Sequence, residues 1–331
     1  MDPVTHLTSG ALGRGALQSY QNDRHMMLFC IIAALLPDID NIIGLLGPEL
    51  YLIHHRGATH SLAGGIILAI VLVLTFRLFI KSFNIKKGFV TALSLISLHI
   101  FLDLVTSYGT QIFYPFTNRR YSIESVFIVD PVYTLVSAVI FFISLIDKKR
   151  KEKIAITGII WIFIYPAINL GIKTYLEKSI ENELKKQDGI SYRVHLSPDI
   201  LTPFSWKVIV EDGEKYGFAG VKLIGRKPVA FLGRFNKAGK EMFDKFGKDA
   251  SIFNTYAWFA VYPVFETEKS GKKNLIIFGD LRFSSTSNFA GRVYRNGRKP
   301  FSLTAVLDEE GKFIEYYYQK PGGVKIIHHI E

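Results

Sequence analysis

Twenty consecutive residues, 61–80, contain one charged side chain, Arg77, and are otherwise mostly Leu, Ile, Val, Phe and Ala. As a helix such a run is about 30 Å long, which matches the hydrocarbon core of a bilayer. A chain that carries it must either bury it wholly or pass it through a membrane. Directly before it stands His54-His55-Arg56-Gly57-Ala58-Thr59-His60-Ser61, which packs three of the nine histidines into seven residues. Imidazole is the commonest protein metal ligand. A cluster of ionisable groups at a membrane edge is costly to desolvate and so points to function.

The rest of the chain repeats the apolar theme up to about residue 172. Hydrophobic residues make up 49% of the 331, and the long runs all precede residue 173. Beyond it the text is mixed and charged. The expected organisation is a membrane-embedded domain over 1–172, a linker helix over 173–189, and a soluble C-terminal domain over 190–331. The net charge of +11 fits basic loops and anionic lipid better than nucleic acid. Cys30 is the one cysteine, so no disulfide framework exists. The first residues lack the basic stretch of a cleaved signal peptide, and the N-terminus is expected to be mature.

Residues 4–20 read as a helix with interleaved Gly10, Gly13 and Gly15, residues that let membrane helices approach closely. A turn at 21–24 and an apolar helix over 26–36 follow, ending at Pro37-Asp38-Ile39-Asp40. This hairpin returns His6 to the end that carries Asp38 and Asp40. Further spans are expected over 88–104, with His99 and Asp103 near its end, over 132–146 and over 154–172. One connection is flanked by Arg77, Lys81, Lys86 and Lys87, and another holds Lys148, Lys149, Arg150, Lys151 and Lys153. The positive-inside rule makes these cytoplasmic, with Arg24 in agreement and Arg56, Arg119 and Arg120 reducing the asymmetry. All the candidate ligands then fall at the other, extracytoplasmic end, and the C-terminal domain is expected on that side too.

Past an amphipathic helix over 173–187, strands are expected over 206–210, 274–278, 301–307 and 313–318, with a short helix over 240–246. The fold class is an all-α polytopic membrane bundle of about four to six helices with a C-terminal soluble α+β or mainly β domain. His328 and His329 read as part of a tail.

His99 and Asp103 stand four residues apart, on one helical face. Taken singly, this pair reads as readily as a structural hydrogen bond, Asp38 and Asp40 as a wet helix end, and the His-His-Arg step as an interfacial anchor. Asp130-Pro131 reads as a helix N-cap followed by proline at the first position. Five or six ligand-type residues at one end of an apolar bundle are harder to explain as decoration. Imidazoles with carboxylates suit zinc first, with manganese or iron as alternatives.

In order, residues 3–6 (Pro-Val-Thr-His), 35–40 (Leu-Leu-Pro-Asp-Ile-Asp), 54–61, 99–116 and 129–131 (Val-Asp-Pro) form a pattern. It resembles the LexA-binding, inner-membrane-associated, metal-dependent hydrolase family (YdjM-like), over about residues 3–135. That family is similar, more distantly, to zinc-dependent phospholipase C. The resemblance implies a metal site of His6, Asp38 or Asp40, His60, His99 and Asp103. It does not extend to the further His and Glu ligands of the phospholipases or to their N-terminal Trp, so one or two ions are expected rather than three. Phosphoester hydrolysis by metal-activated water is the expected chemistry, on a small or lipid substrate, with membrane lipids as the surroundings. His60 opens a rigid helix and is expected on the metal. His55, in the loop, is expected as a general acid, and Arg56 as a phosphate clamp. The rival readings are a transporter or ion relay, and a non-catalytic scaffold that binds a protein partner.

Overall fold

The structure is a computed structural model and describes residues 1–17, 25–286, 301–319 and 325–329; the turn expected at 21–24 lies outside them. The chain divides into two compact units. One comprises Met1–Ile43 with His54–Ile172, the other Gly44–Ile53 with Lys173–Glu331.

The first unit is helical. Helix α1 (Pro3–Ala16) starts where the Asp2 side chain accepts a hydrogen bond from the Thr5 N–H, with Pro3 pre-set for the first turn. Helix α2 (Met26–Leu35) passes straight into a 3-10 segment, Leu36–Leu46. Helix α4 (Leu62–Phe79) is capped by Ser61, α5 (Ile85–Leu104) by Asn84, and α6 (Pro131–Ile146) by Asp130. The seven-residue α3 (Pro48–His54) precedes α4. Helix α2 packs on both α1 and α5, α4 on α5, and α1 on α6. A side chain at Gly10 would place its Cβ 2.7 Å from the Ala34 Cβ and 2.8 Å from the Cys30 carbonyl oxygen. The small-residue stripe therefore sets the α1–α2 spacing.

Among the described residues, four segments are long and apolar enough to cross a membrane: Met26–Leu46, Leu62–Phe79, Ile85–Leu104 and Lys151–Asp188. Only 22% of the α4 window is buried within the protein. Its outward Ile66, Ile67, Ile70, Val71, Leu74 and Leu78 suit lipid rather than water. The expected linker helix is not separate. Helix α7 (Lys151–Asp188) runs unbroken through residue 173 and tolerates Pro166 inside it. The composition changes at that point, but nothing there terminates a helix. The stop comes at Gly189, whose positive φ of 77° closes the C-terminus.

Among its described residues, the second unit is built on a nine-stranded antiparallel sheet that follows chain order. Its strands are β1 (Arg193–Pro198), β2 (Ser205–Asp212), β3 (Lys215–Lys222), β4 (Phe231–Lys237), β5 (Pro263–Ser270), β6 (Lys273–Asp280), β7 (Ser302–Leu307), β8 (Phe313–Gln319) and β9 (Lys325–His329). Helices α8 (Lys240–Gly247) and α9 (Ile252–Phe259) pack Phe243 at a tilt, and Phe246 and Phe253 edge to face, against Phe278 of β6. His328 and His329 are not a tail but the end of β9. The first stacks on Tyr316 at 4.8 Å and the second lies 3.1 Å from a Glu315 oxygen. Helix α3 belongs with this unit: Glu49 accepts hydrogen bonds from Ser251 at 2.8 Å and Thr255 at 2.9 Å.

Candidate metal centre

The end of α5 supplies two groups one turn apart, His99 and Asp103, both fully buried. His99 Nδ1 lies 2.6 Å from the Ala34 carbonyl oxygen at the end of α2, so Nδ1 carries the proton and Nε2 presents its lone pair. His60 closes the 3-10 turn Ala58–His60, just before α4 begins. Gly64 makes that closure possible, because a Cβ there would lie 1.8 Å from the Ala58 carbonyl oxygen. Asp38 comes from the 3-10 segment that continues α2.

One ligand atom from each of Asp38, His60, His99 and Asp103 lies within 4.8 Å of all the others. His60 Nε2 is 3.0 Å from Asp103 Oδ2, 3.1 Å from His99 Nε2 and 3.7 Å from Asp38 Oδ1. His99 Nε2 is 3.5 Å from Asp103 Oδ2 and 3.8 Å from Asp38 Oδ1. Ligands bonded at about 2.0–2.1 Å to a tetrahedral ion stand roughly 3.3–3.4 Å apart, near the middle of this spread. Asp103 Oδ2 is fully buried, with the His60 and His99 Nε2 atoms as its near neighbours. Lone pairs and negative oxygens converge on one point, and only a positive charge there satisfies them. The donor set fits a divalent cation.

Without an ion, a proton has to serve. Burial is the strongest influence on His60 and acts to lower its pKa, but hydrogen bonds to Asp103, Asp38 and Asp40 override it and raise the pKa to about 10. His55 is pushed below its ordinary value by burial, against the opposing pull of Asp40.

Of the six residues expected as ligands, the structure brings four together. Asp40 stands behind them. Its oxygens lie 2.8 Å from His55 Nδ1 and 3.1 Å from His60 Nδ1, and they accept from the Arg56 N–H at 2.9 Å and the Thr59 hydroxyl at 2.8 Å. Both oxygens face the His55–His60 loop. His6 stacks on His99 with centroids 3.7 Å apart, and its Nε2 lies 3.4 Å from Asp103 Oδ1. It is fully buried, and neither ring nitrogen makes a hydrogen bond.

Neither of the two residues expected to act on substrate joins the ligand group. The His55 ring is 6.1 Å from that of His60 and 5.3 Å from that of Tyr108. The Arg56 guanidinium is turned inward. Its Nη2 is 2.8 Å from Asp103 Oδ1, its Nη1 donates to the Thr106 hydroxyl at 2.8 Å, and its carbon lies 5.0 Å from the Tyr108 ring centre. The Met1 amino group contacts the same Asp103 oxygen.

Residue-level reading of the sequence misses three participants. The Ala34 carbonyl is a backbone group with no side-chain signal. Tyr108 reads as an ordinary loop aromatic. Arg120, which donates to the His55 carbonyl at 2.9 Å, reads as a surface charge. Among the four convergent groups, Asp38 alone is reachable from outside, with 23% of its side chain exposed against 0% for the others.

Residues 1–178 match the YdjM inner membrane protein family. The chain is also 24% identical over 301 residues to the "Uncharacterized protein YfhP" of Bacillus subtilis (strain 168), covering 87% of this chain and 89% of that one. No solved structure matches. With more than half of its length accounted for in this way, the chain belongs to the YdjM inner membrane protein family.

Proposed function

We propose that the protein is a multi-pass metal-dependent hydrolase of the cell membrane, acting on a phosphoester of a small molecule or lipid headgroup. Asp38, His60, His99 and Asp103 would hold one divalent ion, zinc in the first instance and manganese or iron as alternatives. The observation that carries the reading is the convergence of those four ligand atoms within 4.8 Å on a point that demands positive charge. Such an ion supplies an activated water and polarises a phosphoryl oxygen.

The chain's own residues do the rest. Asp40 fixes the His60 ring by accepting from its Nδ1–H, the arrangement by which a carboxylate orients a metal-binding imidazole. His6 packs flat on His99 and holds that ring in place. His55, tied to Asp40 through Nδ1, is assigned the proton transfer to the leaving group. Substrate reaches the centre from the side of Asp38. The ligands gather where α4 begins and α5 ends rather than at mid-helix, which favours surface chemistry over translocation. The basic connections assign this end and the C-terminal unit to the extracytoplasmic side. Elemental analysis of the purified full chain tests the reading. One transition metal per chain is expected, and a metal-free protein whose melting temperature ignores added zinc, manganese and iron would end it.

A further inference from the structure

We propose that Arg56 is a positioning residue that keeps Asp103 a one-oxygen ligand, so that the centre holds a single ion bound by one atom from each of its four residues. The inference rests on the metal-centre reading above. The two oxygens of Asp103 are divided. Oδ2 joins the ligand group, 3.0 Å from His60 Nε2 and 3.5 Å from His99 Nε2. Oδ1 is turned to two cations: it lies 2.8 Å from Arg56 Nη2 and also meets the Met1 amino group.

The guanidinium that holds Oδ1 is itself held. Its Nη1 donates to the Thr106 hydroxyl at 2.8 Å and to the Asp103 carbonyl oxygen at 3.3 Å. One planar fork therefore grips both the side chain and the main chain of the same residue, at the negative end of α5. The backbone beneath it is fixed as well. Arg56 has φ of 56°, its N–H donates to Asp40 at 2.9 Å, and its carbonyl accepts from the Gln111 N–H at 2.9 Å. An arginine in the left-handed region is uncommon and has to be held there.

Two other arrangements are disfavoured by this grip. For Asp103 to chelate the ion with both oxygens, Oδ1 would have to leave a guanidinium that is 95% buried, stranding a desolvated charge. For a second ion to sit between Oδ1 and His6 Nε2, which are 3.4 Å apart, it would have to lie beside that guanidinium, cation against cation. Lysine cannot replace the fork, because a single ammonium has no second planar arm for Thr106 and the helix end.

Cobalt loaded into the detergent-solubilised full chain reads this directly, because visible absorption weakens as the coordination number rises. Wild type is expected to bind one cobalt per chain with strong visible bands. Arg56→Met should still bind one, with weaker bands as Asp103, left with the Met1 amino group alone on Oδ1, turns that oxygen toward the ion. Arg56→Lys should fall between the two, and it carries the test if the Met variant does not fold. Variants with the wild-type spectrum would overturn the inference and leave the metal centre standing. Two ions per wild-type chain, falling to one in His6→Ala, would overturn it independently of either variant. A wild-type chain that binds no cobalt, zinc or manganese would defeat the metal-centre reading itself.

Discussion

His60 and His99 point Nε2 at Nε2 across 3.1 Å, a distance that two unprotonated nitrogens tolerate only with a cation to share. In the metal-free protein that cation is the proton on His60, whose pKa is raised from 6.5 to about 10. Metal must displace it. Apparent metal affinity should therefore fall about tenfold for each pH unit below 10. The sign for stability follows from the same shift. The pairing of His60 stabilises the metal-free fold fully below about 6.5 and is lost as the pH rises through about 10. Melting curves of the metal-free protein should drop from pH 7 to pH 10, while those of the loaded protein stay level. Calorimetry in buffers of different ionisation heat should show close to one proton released per ion at neutral pH. Affinity that does not change from pH 6 to pH 9 would refute this account of the centre.

The two aspartates of the 3-10 segment should fail differently. Asp38→Asn, like His99→Ala and Asp103→Ala, should remove bound metal with helical content kept. Asp40→Asn should weaken binding by about 10- to 100-fold without abolishing it. Inductively coupled plasma analysis beside circular dichroism separates the cases. Equal loss in the Asp38 and Asp40 variants would put Asp40 on the ion.

His55 and His60 make a second contrasting pair. His60→Ala should lose metal and turnover of a phosphodiester reporter together. His55→Ala should keep the metal and lose turnover. Equal metal loss from both would make His55 a ligand, and full activity in His60→Ala would take His60 out of the centre.

Asp130 serves as a control outside the ligand set. Its carboxylate accepts from the Val132 and Tyr133 N–H groups at 3.0 Å and from the Tyr165 hydroxyl at 3.0 Å. Asp130→Ala should cost about 1–2 kcal/mol of stability through the lost cap and leave metal stoichiometry unchanged. Thermal melts and metal analysis on one preparation suffice, and metal loss without destabilisation would bring Asp130 into the centre.

Orientation is open to cysteine labelling, since Cys30 is buried. Asn84→Cys lies between α4 and α5 and Lys240→Cys at the start of α8; both positions are exposed. An impermeant reagent on intact cells should label position 240 and spare position 84. Labelling of 240 only after the membrane is opened would reverse the assignment.

Much of this was readable beforehand, for physical reasons. His99 and Asp103 share a helical face by periodicity alone, and Asp130-Pro131 carries the cap and first-turn signals together. The choice between Asp38 and Asp40 was not readable. Two residues apart in a 3-10 segment, they point apart, and which one faces the histidines depends on how α2 ends against α5. The inward turn of Arg56 was also hidden, because nothing in the residue type announces a positive φ. In the C-terminal unit, the sequence pattern picks out β2, β6, β7 and β8 but not β1, β3, β4, β5 or β9; β4, for one, is exposed along most of its length and offers little alternation. The single helix over Lys151–Asp188 shows that a change from apolar to charged text need not break a helix.

Helix α3 sits in the chain between Asp40 and His55 yet is counted with the C-terminal unit, where Ser251 and Thr255 hold its Glu49. The polypeptide thus passes from one unit to the other at 43/44, 53/54 and 172/173. A fragment ending at residue 172 would keep every candidate ligand and still lose Ser251 and Thr255, which hold Glu49 in the segment between Asp40 and His55.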